Sequence, residues 1–230
     1  MRAVVLQHET HEELGLLGPA LTEVGFSLVK RFRDVEHSDL EAELVVILGG
    51  GLGVGDSAHP FLAKEQAFLA QRLALDRPCL GICLGAQLLA AAAGADVHRG
   101  KNGFELGVGP VRWTQAGLED PVFAGAPSKP AVAHWHQDTF TAVPDATLLC
   151  STERYTQQAF RLGPTYGLQF HLELTGDAWL KWIEWGADAL VAAGKDPAAL
   201  RAEAGKLRAA ESQNSQLLAR LAQHFARTIG

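Results

Sequence analysis

A cysteine, a histidine and a glutamate stand in settings where they could share one proton-transfer task. The cysteine is Cys83, in Pro78-Cys79-Leu80-Gly81-Ile82-Cys83-Leu84-Gly85-Ala86-Gln87. The run reads as a buried apolar strand that turns sharply into a helix. Gly81 and Gly85 flank Cys83 two residues away on either side, giving G-x-C-x-G. A strained strand-to-helix turn leaves room only for glycine beside an exposed nucleophile. The helix expected over Ala86 to Ala93 would begin just after Cys83, so its N-terminal amides and dipole favour a thiolate there. A merely buried cysteine is the alternative, and the paired glycines and the turn argue against it.

A nucleophilic cysteine needs a base, and the base needs a group to orient it. Tyr166-Gly167-Leu168-Gln169-Phe170-His171-Leu172-Glu173 offers both. Tyr166 to Phe170 reads as a short buried strand with His171 at its end. Glu173 lies two residues on, so an extended backbone puts it on the same face as His171. A carboxylate there can hold the imidazole tautomer and stabilise imidazolium. H-x-E alone is weak, and the elbow gives it meaning.

These groups need a frame. Ala3–Leu6, Phe26–Phe32 and Leu44–Leu48 read as strands, and the last is a continuous apolar run of the kind covered on both faces in a parallel sheet. Helices are expected over Glu12–Val24 and Pro60–Leu75, then the elbow strand and its Ala-rich helix ending at Gly94. From Val97 to about Leu168 short β-like pieces broken by Gly and Pro suggest a mostly antiparallel extension. From Asp177 the chain turns helical again, and Asp196-Pro197 could open a last long helix to about Arg227. The expected fold is α/β, an open mostly parallel sheet with helices on both faces and an antiparallel β extension. The expected division is a single catalytic domain over residues 1–190 and a C-terminal helical extension over 191–230.

Gly49-Gly50-Gly51-Leu52-Gly53 follows the central strand directly, at the strand end where open α/β sheets bind ligands. Backbone N–H groups near Gly50 or Gly51, with that of Leu84, could form an oxyanion hole. A flexible turn is the other reading; a phosphate loop fails because no Gly-Lys-Ser/Thr follows. His134, His136 and Asp138 alternate and could face one way to bind metal, but no third or fourth ligand cluster is evident, so no metal is expected. A solvated strand end fits them better. Trp179, Trp182 and Trp185 recur every three residues and read as packing. Cys79 and Cys150 read as structural.

The 230 residues carry 20 basic and 26 acidic side chains, a net charge of −6, and 47% hydrophobic content, enough for one core. No basic stretch appears, which argues against nucleic-acid partners and an anionic membrane surface. No run approaches a membrane span, and the N-terminal apolar run is too short for a signal peptide. With 3 cysteines a disulfide framework is not expected, and a cytoplasmic location is.

Gly81–Gln87 and Gln169–Glu173 resemble the two signatures of class I glutamine amidotransferases. Glu105-Leu106-Gly107, His134–Phe140 and Gln158-Ala159-Phe160 fall where free-standing, GMP-synthetase-like members carry similar segments, and the resemblance spans about residues 1–185. It implies a flavodoxin-like layering of the sheet. It makes Gln87 a residue lining the substrate pocket, and it gives the backbone around His136-Gln137 a part in holding the α-amino and α-carboxylate groups of a glutamyl substrate. In two places the chain departs from the family. Leu172 stands where proline usually separates the histidine from the glutamate, and Gly51 where the oxyanion loop usually has proline. Both loops are expected to be less stiff for it. The expected function is a cysteine-dependent glutaminase that hydrolyses the γ-amide of glutamine through a γ-glutamyl thioester and needs no cofactor. Three alternatives remain: an ammonia-donating subunit working beside a synthetase partner, a γ-glutamyl peptidase or hydrolase acting on small conjugates, and a non-catalytic partner protein.

Overall fold

A computed structural model describes residues 1–229. The chain runs β1 (Arg2–Gln7), α1 (Leu17–Glu23), β2 (Ser27–Phe32), β3 (Leu44–Ile47), α2 (Phe61–Ala74), β4 (Cys79–Ile82) and α3 (Leu84–Ala92). Short pieces follow: β5 (Val97–Arg99), β6 (Glu105–Pro110), β7 (Arg112–Trp113), α4 (Gln115–Glu119), β8 (Ala131–His136), β9 (Asp138–Phe140), β10 (Thr147–Ser151), β11 (Ala159–Leu162) and β12 (Thr165–Leu168). The end is helical: α5 (Gly176–Trp185), α6 (Ala187–Ala192), α7 (Pro197–Ala202) and α8 (Ala204–Ile229).

Eight strands form one sheet in the order β2-β1-β3-β4-β12-β11-β10-β7. From β2 to β12 all neighbours are parallel, and β11, β10 and β7 extend the sheet in antiparallel fashion. This is the α/β architecture expected from the sequence. The apolar runs of β1 and β3 are buried throughout because both faces are covered. Ala3, Val5, Leu44 and Val46 face α1 and α8, with Leu217, Leu218, Leu221 and Phe225 in the same cluster. Val4, Leu6, Val45 and Ile47 face α2 and α3, against Leu62, Leu69, Leu88 and Leu89. The alternation follows the two-residue period of a strand. Outside the main sheet, β6 pairs with β8 and β5 with β9, each antiparallel.

Two helices differ from their expected extent. Residues 12–16 are not helical, and α1 starts at Leu17. Gly15 sits at φ +46°, where a Cβ would lie 2.1 Å from the carbonyl oxygen of Glu173, and the Leu16 amide donates to that same carbonyl at 2.9 Å. The segment is spent on holding Glu173. The last helix is broken at Glu203. There the Trp179 indole donates to the Leu200 carbonyl at 2.8 Å, and the Glu203 carboxylate accepts from the Val108 amide at 2.6 Å. The Trp179 indole thus takes up a carbonyl that a continuous helix would use internally, and the Glu203 side chain ties the break to β6.

Candidate active site

The sharp turn between β4 and α3 is present and strained. Cys83 has φ 52° and ψ −108°, a region disfavoured for any residue with a Cβ. Its neighbours explain why the flanking positions are glycine. A Cβ on Gly81 would lie 2.4 Å from the Gly85 carbonyl oxygen, and one on Gly85 would lie 2.1 Å from that of Ile47. The turn is tied to the sheet by the Cys83 amide, which donates to Leu168 at 2.8 Å. Cys83 stands at the N-terminus of α3 and is only 6% exposed.

His171 arrives just beyond β12, next to β4 in the sheet. A two-way backbone bridge to Ala133 of β8 fixes it, with N–H···O distances of 2.9 and 3.2 Å. Its Nδ1 lies 2.6 Å from Oε1 of Glu173. Nδ1 therefore carries the hydrogen, and Nε2 is left without a hydrogen-bond partner. The thiol of Cys83 is the polar group on that side; its Sγ also reaches the Trp135 carbonyl, at 3.8 Å. Burial opposes protonation of His171, yet the Glu173 carboxylate and the Cys83 sulfur in its thiolate form outweigh it and hold the imidazole well above its usual range. Leu172, which stands between His171 and Glu173, is buried in the core. The backbone bonds of His171 and Glu173 hold this segment in place of a rigid ring.

A cavity joins these groups, lined by His11, Glu12, Gly50, Gly51, Cys83, Trp135, His171, Trp182 and Trp185. Gly50 packs against Leu84 and His8, where a Cβ would come within 2.9 and 3.0 Å of side-chain atoms, whereas a Cβ on Gly51 would meet nothing within 4 Å. His8 buttresses the loop from below: Nδ1 meets the Gly49 carbonyl at 2.9 Å and Nε2 meets Glu65 at 3.0 Å. Burial acts against the charge on His8, but Glu65 and the Gly49 carbonyl prevail and raise its pKa.

Other residues singled out in the sequence sit further away. Gln87 is buried and donates to the Asp138 carbonyl at 3.2 Å and to Gln169 Oε1 at 3.1 Å. His136 is buried between Glu105 and the Asp138 carbonyl, each 3.0 Å away. The Gln137 side chain accepts from Arg99, and its carbonyl accepts from Gly100 at 2.9 Å. None of the three lines the cavity at Cys83. The tryptophan stripe divides. Trp179 packs against Trp135, while Trp182 stands edge-on to His171 with ring centroids 5.0 Å apart. Trp185, 63% exposed, lies against His11 at the mouth.

Glu12 was missed because the apolar spacing around it read as helix. Its carboxylate faces Gly49, where a Cβ would fall 2.0 Å from Oε2. Burial pushes its pKa up to about 7; the charges of His171 and His8 pull the other way, and Glu173 adds to the rise. The available signal was position, since Glu12 follows β1 at the carboxyl end of the parallel sheet, where ligand groups gather.

A parallel sheet with a cysteine elbow, a facing histidine–glutamate pair and a glycine loop defines an α/β protein built like the amidotransferases. The family profile "Glutamine amidotransferase class-I" matches residues 20–183, and the chain belongs to that family. It is 30% identical over 187 residues to a glutamine amidotransferase-like protein of Salmonella typhimurium, YfeJ, covering 77% of this chain and 78% of that one. One subunit of the glutamine-hydrolysing GMP synthase of Thermoplasma acidophilum is 31% identical over 144 residues, which is 61% of this chain and 68% of that one. The crystal structure of a glutamine amidotransferase from Thermotoga maritima superposes with a TM-score of 0.87 at 32% identity, covering 98% of each chain. No helix among the described residues is long and apolar enough to cross a membrane.

Proposed function

We propose that this protein hydrolyses the γ-amide of glutamine with Cys83 as nucleophile, His171 as acid and base, and Glu173 as the group that orients His171. The Cys83 thiolate attacks the γ-carboxamide carbon, and the negative charge on oxygen is met by backbone donors of Gly50 or Gly51 and Leu84. The C–N bond breaks as His171 passes its Nε2 proton to the leaving ammonia. His171 then takes a proton from water, which attacks the γ-glutamyl thioester and releases glutamate and the thiolate. The observation that carries this reading is the 2.6 Å His171–Glu173 contact, which leaves Nε2 free on the side of Cys83. Ammonia would pass to an acceptor, and the likeness to a GMP synthase subunit supports a separate synthetase chain as the receiver.

A second reading has one observation on its side. The cavity next to His171, where the leaving group must take its proton, is walled by Trp182, Trp185 and His11. Aromatic walls suit a bulky amine leaving group better than they suit ammonia. The test is product release from glutamine and from γ-glutamyl amides of larger amines, without ATP, by the parent chain and Cys83→Ala. Ammonia release that vanishes in Cys83→Ala supports the glutaminase. A kcat/KM at least tenfold higher on the larger amides moves the assignment to a γ-glutamyl hydrolase. Equal turnover by Cys83→Ala overturns both.

A further inference from the structure

A second group of buried polar side chains lies on the β6–β8 pair. Glu105 and His136 are directly opposite in the register, and His134 is two residues along β8, on the same face. They are 9%, 4% and 4% exposed respectively. Their surroundings fix where the hydrogens are. His136 Nδ1 faces the Asp138 carbonyl at 3.0 Å, so that nitrogen carries a hydrogen, and Nε2 points at Glu105 Oε2, also 3.0 Å away. The Nδ1 of His134 is buried with no hydrogen-bond partner, 3.8 Å from the same Glu105 oxygen.

Three electron-pair donors thus converge: His134 Nδ1, His136 Nε2 and a Glu105 oxygen, all within 4.8 Å of one another. A cation placed among them would satisfy all three at once. A single proton can bridge His136 and Glu105, but it leaves His134 Nδ1 buried and unpaired. An ion with metal–ligand bonds of ~2.0–2.1 Å in a tetrahedral arrangement spaces its ligands ~3.3 Å apart, so sub-ångström shifts would let one ion meet all three.

We propose that Glu105, His134 and His136 bind a divalent transition-metal ion of the zinc type. The supports a metal site needs are in place. His136 gives its other N–H to the Asp138 carbonyl. Glu105 accepts from Thr152 Oγ1 at 2.7 Å and Gln158 Nε2 at 2.6 Å. Such partners hold the ligands in orientation. A cavity of about 650 Å³, lined by Glu105, His134 and Thr152 among others, gives the ion a way in and leaves its fourth position open. The ligand set brackets Trp135, whose carbonyl meets Cys83 at 3.8 Å, so a bound ion would stiffen one wall of the cysteine site. In the sequence alone this pair of histidines lacks a third ligand. Glu105, 29 residues upstream of His134, supplies it through strand pairing, while Asp138 meets His136 only through its main chain.

The test is metal binding by the whole 230-residue chain in the Cys83→Ala form, which removes the competing thiol at the other site. The protein is stripped with chelator, dialysed, and titrated with Zn²⁺ and with Co²⁺, whose visible spectrum reports tetrahedral nitrogen and oxygen ligation. The proposal expects about one ion per chain and its loss in His134→Ala, with binding kept in His98→Ala, a histidine outside the cluster. Circular dichroism checks that the variants fold. Should His134→Ala not fold, Thr152→Ala, which removes only a support of Glu105, is expected to weaken binding on the order of tenfold. Absence of the cobalt spectrum in the parent chain, or full binding by folded His134→Ala, overturns the proposal.

Discussion

Two buried histidine–glutamate pairs lie close together in this fold, and they are wired differently. His171 and Glu173 stand at the end of β12 with one nitrogen tied at 2.6 Å and the other free toward Cys83. His136 and Glu105 stand across β8 and β6 with both nitrogens of the histidine tied. The backbone bridge between Ala133 and His171 joins the two regions. Similar chemistry has opposite effects on the histidines that face these carboxylates. At His171 burial is overcome by Glu173 and Cys83, and the pKa rises. At His134 burial prevails over the attraction of Glu105, helped by repulsion from His136 and His171, and the pKa falls to about 4. A proton-transfer group needs one open nitrogen and a charge partner, whereas a fully tied histidine can only hold structure or a cation.

The largest effect that could break this contrast is at the first pair. Cys83→Ala and His171→Ala should each lower glutaminase kcat by roughly 10⁴-fold or more, because groups that act as a unit fail together. A glutamine-mimicking electrophile should label Cys83 alone. Burial drives the Cys79 and Cys150 thiols up, away from the reactive thiolate. Peptide mass spectrometry that finds the label on Cys79 or Cys150, or near-normal turnover by His171→Ala, would end the assignment.

Making the same exchange in both pairs sharpens the comparison. Glu173→Gln keeps a hydrogen-bond acceptor for Nδ1 but removes the charge, so kcat should fall on the order of 10²-fold, with the loss of stability greatest at low pH, where His171 is charged. Glu105→Gln removes the carboxylate that accepts from His136, Thr152 and Gln158, and should cost about 3 kcal/mol of folding stability by denaturant titration. If both exchanges acted on kcat alone, the division into a working pair and a holding pair would be wrong.

How far the sequence carried this reading depended on how local each feature is. Gly81 and Cys83 announce their turn through local sterics, since a Cβ on Gly81 would strike the Gly85 carbonyl, while Gly85 is demanded by the Ile47 carbonyl of the neighbouring strand. The apolar runs of β1, β3 and β4 mark a parallel core because both faces are buried. His171 and Glu173 share a face by simple alternation. Glu12 could not be read this way: its role comes from Gly15 and Leu16 clasping Glu173, more than 150 residues away, and that clasp overrides the local helical pattern. Glu105 was hidden likewise, since only the β6–β8 register brings it to His136.

Glu12 gives a smaller, pH-dependent effect. With its pKa near 7 in the folded chain, against 4.5 for a free carboxyl, the folded state keeps a proton that the unfolded state has already released between those values. Stability therefore falls as pH rises through that window, and the cost is fully present above pH 7. Glu12→Gln removes it. The Tm of the variant should match the parent near pH 4 and exceed it by a few degrees at pH 8. A difference that is flat across pH would mean Glu12 is not held protonated by its surroundings.

The smallest expected effect concerns the glycine loop. Gly49 is tied to His8 and Gly50 is packed against Leu84, so the freedom left by the missing proline is confined to Gly51 and the residues after it. A Cβ on Gly51 meets nothing within 4 Å, so added side-chain atoms have room. Gly51→Pro narrows the backbone states of the free loop, a gain of roughly 0.4–1 kcal/mol where the conformation is compatible. If the loop supplies an oxyanion donor and only a fraction of molecules hold it ready, kcat/KM on glutamine should rise by about two- to fivefold. The parent and the variant should then converge once a tight-binding γ-glutamyl ligand has ordered the loop. Unchanged kcat/KM in a folded Gly51→Pro chain would show that His8 and Leu84 already hold the loop in its working form.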